Sequence, residues 1–197
     1  TYGGKALHNI MNCLPAVLST YFWRNIAIED IKLALQTFIP SATQTPGRLN
    51  LFQFKHFQFL VDFAHNPAGL ELLCDFVSKL DGEPKVGIIS GTGDRRDEDI
   101  RELGRISGRH FDEIIIRQDK NLRGRTAEEI VNLLVEGITE TKTKEIPINI
   151  IYNEKEAIMY AYNNAKPGSL ITIMCDVVAE ALDLIKGLKE KEVEEGV

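Results

Sequence analysis

Apolar positions along the chain follow a helical period at first and then switch to short buried runs alternating with amphipathic stretches. Ala6 to Phe22 has helical character, with Pro15 expected to kink or divide it. Ile28 to Phe38 reads as a second helix, with Ile28, Ile31, Leu35 and Phe38 at helical spacing. Pro40 to Gly47 is rich in Ser, Thr, Gln and Pro and reads as a linker, which places a domain boundary there. From Arg48 onward strands and helices alternate. Leu49–Phe54 and Phe57–Phe63 flank Lys55-His56 as a hairpin. Pro67–Leu80 is an amphipathic helix, Lys85–Ser90 a short buried strand, and Glu98–Phe111 a helix. Glu113–Arg117 contains three consecutive isoleucines, the pattern of a strand covered on both faces. Thr126–Thr139 is a helix opened by a capping box, Thr126 with Glu129. Ile148–Tyr152, Glu154–Asn164, Ser169–Cys175 and Val177–Glu190 continue as strand, helix, strand and helix. The charged Glu-Lys tail reads as a solvated helix end or a frayed terminus. This alternation predicts an α/β, Rossmann-like fold: a mostly parallel sheet with helices on both faces.

Composition narrows the classes. Apolar residues make up 44% and charged residues 26% of the 197 positions, ordinary for a globular chain with a normal core. A net charge of −6 argues against a nucleic-acid surface. No apolar run approaches ~20 residues, so no membrane span is expected. Cys13, Cys74 and Cys175 form no CxxC pair and read as reduced thiols of a cytoplasmic protein. The chain starts at Thr1 without a basic and apolar leader and reads as a piece of a longer or processed protein.

Candidate chemistry gathers where strands run into helices, the ligand-binding edge of an open α/β sheet. In Leu60-Val-Asp-Phe-Ala-His-Asn-Pro-Ala-Gly69, an apolar run ends in Asp62, and His65, Asn66 and Pro67 precede a helix. Pro67 suits the first helical position, and the helix N-terminus favours an anion. Asp62 is either a ligand contact or a cap. His65 either positions a ligand or stabilises the turn, and Asn66 can make an Asx-type bond. Gly91-Thr-Gly-Asp-Arg-Arg-Asp97 lies between a strand and a helix, so Asp94, Arg95 and Arg96 can hold a charged substrate, or form a charged loop capped by Asp97. Arg123 and Arg125 flank Gly124 and can clamp a carboxylate. Asp119 is a partner for a guanidinium substrate or for Arg123, and Asp176 is a similar strand-end acid. Arg48, after Gly47, can fork onto a phosphate. Asn9 and Asn12 share one helix face and offer carboxamides suited to adenine.

The stretch LVDFAHNPAGLELL resembles the entry to the C-terminal domain of the Mur ligases and their relatives, which join an amino acid to a carboxylate with ATP through an acyl phosphate. His8–Asn12 resembles the HNxxN segment closing that family's central ATPase domain, and Thr45–Asn50 its interdomain linker and arginine. SGTGDRRDEDIRELG, DKNLRGR and PGSLITIMCD are similar to the cyanophycin synthetase branch of the family. That branch polymerises aspartate and arginine, and its Mur-like module is thought to add the arginine. Peptidoglycan tripeptide ligases typically read DNPR where DKNLRGR stands here. The family's phosphate loop, GxxGKT or GxNGKT, has no counterpart, since Gly3-Gly-Lys5 is followed by Ala6.

The resemblance implies residues 1–45 as the helical end of the central ATPase domain and 46–197 as the C-terminal domain. It implies ATP contacts at Asn9, Asn12, Arg48, Asp62 and His65. It places substrate contacts at Asn66, Asp94, Arg95, Arg96, Asp119, Arg123 and Arg125. Mg²⁺ is expected mainly on the missing central domain, and no metal site or catalytic residue is assigned within this chain. The expected partners are an amino acid (arginine), a peptide and the remainder of the parent ligase, with homo-oligomerisation left open. If arginine is the substrate, acidic side chains should line part of its pocket. The expected activity is that of an ATP-dependent amide-forming ligase in the full-length protein, the fragment being inactive alone. The alternatives are a peptidoglycan or folylpolyglutamate-type ligase domain, or a non-catalytic nucleotide- or peptide-binding domain.

Overall fold

The computed structural model describes residues 2–142 and 145–194. The last three residues of the charged tail lie outside them. The chain divides into two compact units, Thr1–Pro40 and Ser41–Val197.

The first unit holds α1 (Leu7–Arg24) and α2 (Ile28–Thr37). Pro15 does not divide α1, which runs unbroken for 18 residues. The helix ends where Asn25 turns left-handed at φ 50° and donates its N–H to the Thr20 carbonyl. Asn is the residue other than Gly that adopts this conformation most readily.

The second unit is built on a sheet of six strands. They are β1 (Asn50–Gln53), β2 (Gln58–Asp62), β3 (Lys85–Ile89), β4 (Glu113–Ile116), β5 (Ile148–Ile150) and β6 (Leu170–Met174). The order is β1-β2-β6-β3-β4-β5. Only β1 is antiparallel, paired to β2 through the expected hairpin, with Asn50 opposite Val61. The last strand, β6, sits between β2 and β3, parallel to both.

Helices cover both faces, as the alternation along the strands requires. The helices are α3 (Pro67–Ser78), α4 (Asp97–His110), α5 (Ala127–Thr141), α6 (Glu154–Asn163) and α7 (Val178–Glu194). Phe59, Val61, Ile88, Ile115, Ile171 and Ile173 pack in one cluster with Ala157 and Ile158 of α6 and Leu182 and Ile185 of α7. Leu60, Ile89, Ile114 and Ile116 are fully buried on the opposite face. Each such side chain stabilises the fold by about 1.5–3 kcal/mol. The surface ion pairs of α4 and α5 are screened by solvent, so burial dominates.

α4 and α5 approach closely because glycines face backbone. A β-carbon on Gly104 would stand 2.2 Å from the Leu134 carbonyl oxygen, and one on Gly137 2.0 Å from that of Arg101. The capping box of α5 forms as expected: Thr126 Oγ1 accepts from the Glu129 N–H at 3.2 Å, and Glu129 accepts from the Thr126 N–H at 2.7 Å. Of the two readings of the Glu-Lys tail, its described part takes the solvated helix end, with one residue fastened. α7 continues to Glu194 because Glu192 is tied down, accepting from the Lys55 N–H at 2.8 Å and from Lys189. Its carboxylate thereby caps the β1–β2 hairpin. No helix among the described residues is long and apolar enough to cross a membrane.

Candidate functional site

The carboxyl ends of β2, β3, β4 and β6 carry most of the residues singled out from the sequence. The segment entering β1 is anchored there first. Asn50, almost fully buried, accepts the Gly47 N–H at 2.7 Å and donates to the Thr45 carbonyl at 3.0 Å. Leu49 is left-handed at φ 49°, and its N–H donates to Asp62 Oδ2 at 2.9 Å. The Asp62 carboxylate therefore holds this turn.

These anchors leave Arg48 exposed between buried Gly47 and Leu49. Its guanidinium carbon lies 5.9 Å from the centre of the Phe63 ring, a cation–π distance. Phe63 in turn contacts the His65 ring at 5.2 Å, and His65 Nδ1 lies 3.1 Å from the Phe63 carbonyl oxygen. Arg48, Phe63 and His65 thus form one exposed column. No carboxylate among the described residues pairs with Arg48. Asn66 is the N-cap of α3, its Oδ1 accepting from the Gly69 N–H at 2.8 Å, with Pro67 at the first helical position. No acid stands in the first turn of α3, so its positive end is uncompensated.

The loop after β3 differs. Arg96, not Asp97, precedes the first residue of α4, and Asp97, Glu98 and Asp99 fill its first turn. Those carboxylates already complement the helix dipole, so this N-terminus is a poor anion site. Arg96 is turned to solvent in a two-pronged pair with Asp99, at 2.7 and 3.0 Å. Arg125 is spent within the protein, donating to the carbonyls of Gly93 and Arg95, both at 2.9 Å, and to Asp97 at 2.7 Å. It staples the 91–97 loop to the 119–125 loop. Arg123, left-handed at φ 51°, pairs with Asp94 at 2.5 Å and stays half exposed. The hydrogen bond from Arg123 holds the Asp94 carboxyl below its ordinary value.

Between these loops lies a cleft of about 180 Å³ that brings together His65, Arg95, Asp119 and Arg123 with Ser90, Thr92 and Asp176. Arg96, Arg125, Asn66, Arg48 and Asp62 do not line it. Asn9 and Asn12 lie on α1 of the helical unit. Within the cleft, Arg95 Nε is buried and has no hydrogen-bond partner.

A buried ion network that sequence reasoning missed forms the floor. Arg117, 2% exposed, pairs with Asp119 at 2.5 Å and with Glu154 at 3.1 Å, and donates to the Met174 carbonyl. Asp119 also accepts from Ser90 Oγ at 3.0 Å. Asp119 is therefore a partner of Arg117 and Ser90, not of Arg123. Glu154 further accepts the Asp176 N–H at 2.6 Å. Burial pushes its carboxyl up against the opposing pull of Arg117. The signal for this network was an arginine closing a three-isoleucine strand with an acid two residues on.

Such a site can bind an anion beside the sheet edge through Arg95 and Arg123, with the Arg48 column alongside. Among the described residues, no group of three His, Cys, Asp or Glu could hold a metal ion.

Comparison with known proteins shows the family and the fold. The family model described as "Mur ligase, glutamate ligase domain" matches residues 47–176. The chain is 42% identical over 94% of its length to a cyanophycin synthetase of Crocosphaera subtropica, of which it covers 21%. It therefore spans about a fifth of the length of that relative. A crystal structure of a murein peptide ligase from Psychrobacter arcticus superposes with a TM-score of 0.63 at 20% identity, covering 93% of this chain and 37% of that one. A folylpolyglutamate synthase of Mycobacterium tuberculosis, solved with ADP and AMPPCP, superposes with a TM-score of 0.55 at 22% identity, covering 72% of this chain and 32% of that one. These two likenesses concern the fold. The family match, the open sheet edge and the DFAHNP junction together make this chain a member of the Mur ligase family, carrying its glutamate ligase domain.

Proposed function

We propose that the chain is the C-terminal part of an ATP-dependent carboxylate–amine ligase of the cyanophycin synthetase kind, closing over the nucleotide and presenting arginine to an acyl phosphate. In this reading residues 1–45 end the central ATPase domain, and 46–197 form the C-terminal domain of a cytoplasmic enzyme. The observation that carries it is Arg95, whose buried, unpartnered Nε stands beside Arg123 in a cleft at the ligand-binding edge of the sheet. Such a pair of guanidinium groups suits the α-carboxylate of an incoming amino acid.

The residues present fit a nucleotide's phosphates only in part. Arg48, exposed on Phe63 beside His65, offers a charge-assisted fork to an anion. ATP supplies the phosphoryl group that activates the carboxylate; this chain's share is to orient and to exclude water on closure. This reading assigns Mg²⁺ mainly to the remainder of the parent enzyme. The 197 residues also lack a phosphate loop, so the chain alone turns over no ATP.

ADP release by the parent enzyme, given a carboxylate primer and one amino acid at a time, tests the reading. Turnover with arginine supports it, and an Arg95→Ala variant should raise the KM for arginine about tenfold. Turnover with glutamate or diaminopimelate but not arginine overturns it.

A further inference from the structure

Arg117 follows β4, yet its guanidinium donates to the Met174 carbonyl at the end of β6, through Nε at 3.2 Å and through a second nitrogen. The strand order puts β3 between the two, so the side chain spans the carboxyl end of β3. It is bonded there as well, its own N–H donating to the Ile89 carbonyl at 2.9 Å. The same guanidinium holds Asp119 at 2.5 Å and Glu154, the first residue of α6, at 3.1 Å. Asp119 Oδ1 in turn accepts from Ser90 Oγ, just past β3. One side chain therefore ties the ends of three strands to the start of a helix.

The walls of the cleft hang from these tied groups. Ser90 leads into the 91–97 loop with Arg95, Asp119 into the 119–125 loop with Arg123, and Met174 into Cys175 and Asp176. The side chains of Arg117, Asp119 and Glu154 are 3%, 12% and 14% exposed, so salt screens them far less than the pairs on α4. Two carboxylates share one cation here. Without it they stand nearly buried with no counter-charge, and their repulsion pulls Asp119 off Ser90. A lysine keeps the charge but lacks the planar fork that holds two acids and a carbonyl in one geometry. Arg117 itself takes no ligand, because each of its three guanidinium nitrogens already donates within the protein.

We infer that Arg117 is a positioning residue of the cleft: by gripping Asp119, Glu154 and the Met174 carbonyl together, it keeps the two loops where Arg95 and Arg123 act on one anion. Arg125 fastens the loops to each other, and Arg117 fastens the pair to the sheet. The inference deepens the proposed function and rests on it for the identity of that anion as an amino-acid carboxylate.

Hydrogen exchange on the whole chain and kinetics of the parent enzyme test this together. Arg117→Lys should speed amide exchange in both loops about tenfold while the interiors of α4 and α5 stay protected. In the parent it should raise the KM for arginine about tenfold and leave the KM for ATP within about twofold. Ile138→Val, a buried change in α5, is the control for a purely structural loss. It should lower the melting temperature and leave both loops and the arginine KM as they were. Ser90→Ala removes only the hydroxyl tie, so it reports even where Arg117→Lys fails to fold, and it should loosen the 91–97 loop severalfold. Exchange that rises evenly across the second unit in Arg117→Lys overturns the inference, as does a 91–97 loop in Ser90→Ala as protected as in the unsubstituted chain. Arginine-dependent ADP release with an unchanged arginine KM in Arg117→Lys sinks the inference alone. Loosened loops in a parent that rejects arginine sink only the proposed substrate.

Discussion

Gly93 and Leu122 meet backbone to backbone: a β-carbon on Gly93 would stand 1.9 Å from the Leu122 carbonyl oxygen. The two loops that frame the cleft are therefore in direct contact, and Arg125 ties the same pair together from the other side.

Gly93→Ala should push these loops apart and destabilise the second unit by about 1–3 kcal/mol. Gly124→Ala makes a fair control. Gly124 has φ 91°, but nothing lies within 4 Å of an added β-carbon, so only backbone strain is incurred. Thermal unfolding of both variants checks this. A Gly93→Ala protein that melts with the parent would show that the loops do not depend on one another.

Asp62 accepts the N–H of left-handed Leu49, so Asp62→Ala leaves a buried donor unmatched and should cost roughly 1–3 kcal/mol without any nucleotide present. Asp62→Asn keeps an acceptor and should cost less. Hydrogen exchange at the Leu49 amide reads the loss directly. Unchanged protection in Asp62→Ala would mean that the turn is held by other groups.

Glu154 gives a pH dependence with a definite sign. Its folded pKa is raised above the ordinary 4.5, chiefly by burial. The protonated form is thus favoured in the fold, and its contribution to stability is present below the unfolded value and lost as pH rises through the folded value. Against Glu154→Gln, the parent should be relatively more stable near pH 4.5 than at neutrality. Urea unfolding at both values decides it. The opposite trend would show that the pull of Arg117 outweighs burial.

Burial pushes the Cys175 thiol up to about 12, and its Sγ–H donates to the Asp62 carbonyl at 3.3 Å. At pH 8 almost no thiolate is available, and the thiolate is the reactive species. An aromatic disulfide reagent should therefore modify Cys175 in the folded chain far more slowly than in urea. Equal rates would contradict the burial described.

The sequence announced those features whose signals are local. The hairpin follows from two apolar runs around Lys55-His56, the capping box from Thr126 and Glu129, and the parallel sheet from regular β/α alternation. What stayed hidden depends on distant partners. Arg117 looked like an ordinary strand end because, beyond nearby Asp119, the Glu154 carboxylate and the Met174 carbonyl that engage it come from separate segments. The tether on the Glu-Lys tail stayed hidden because Lys55, which holds Glu192, lies 137 residues away. Arg123 and Arg125 looked equivalent. The left-handed turn at Arg123 and Gly124 separates them, leaving one beside the cleft and one stapling loops. The close approach of α4 and α5 rests on Gly104 and Gly137, and isolated glycines in a helical pattern carry no partner's name.

The position of β6 has a consequence for synthesis. The sixth strand along the described residues is the third in the sheet, flanked by β2 and β3. While the ribosome is still translating Leu170–Met174, the emerged chain owns two half-sheets, each presenting a bare edge to other nascent chains. The sheet therefore closes only once Leu170–Met174 has emerged, and an early stop codon ahead of Leu170 does not merely shorten the domain but leaves it as two separate, aggregation-prone halves.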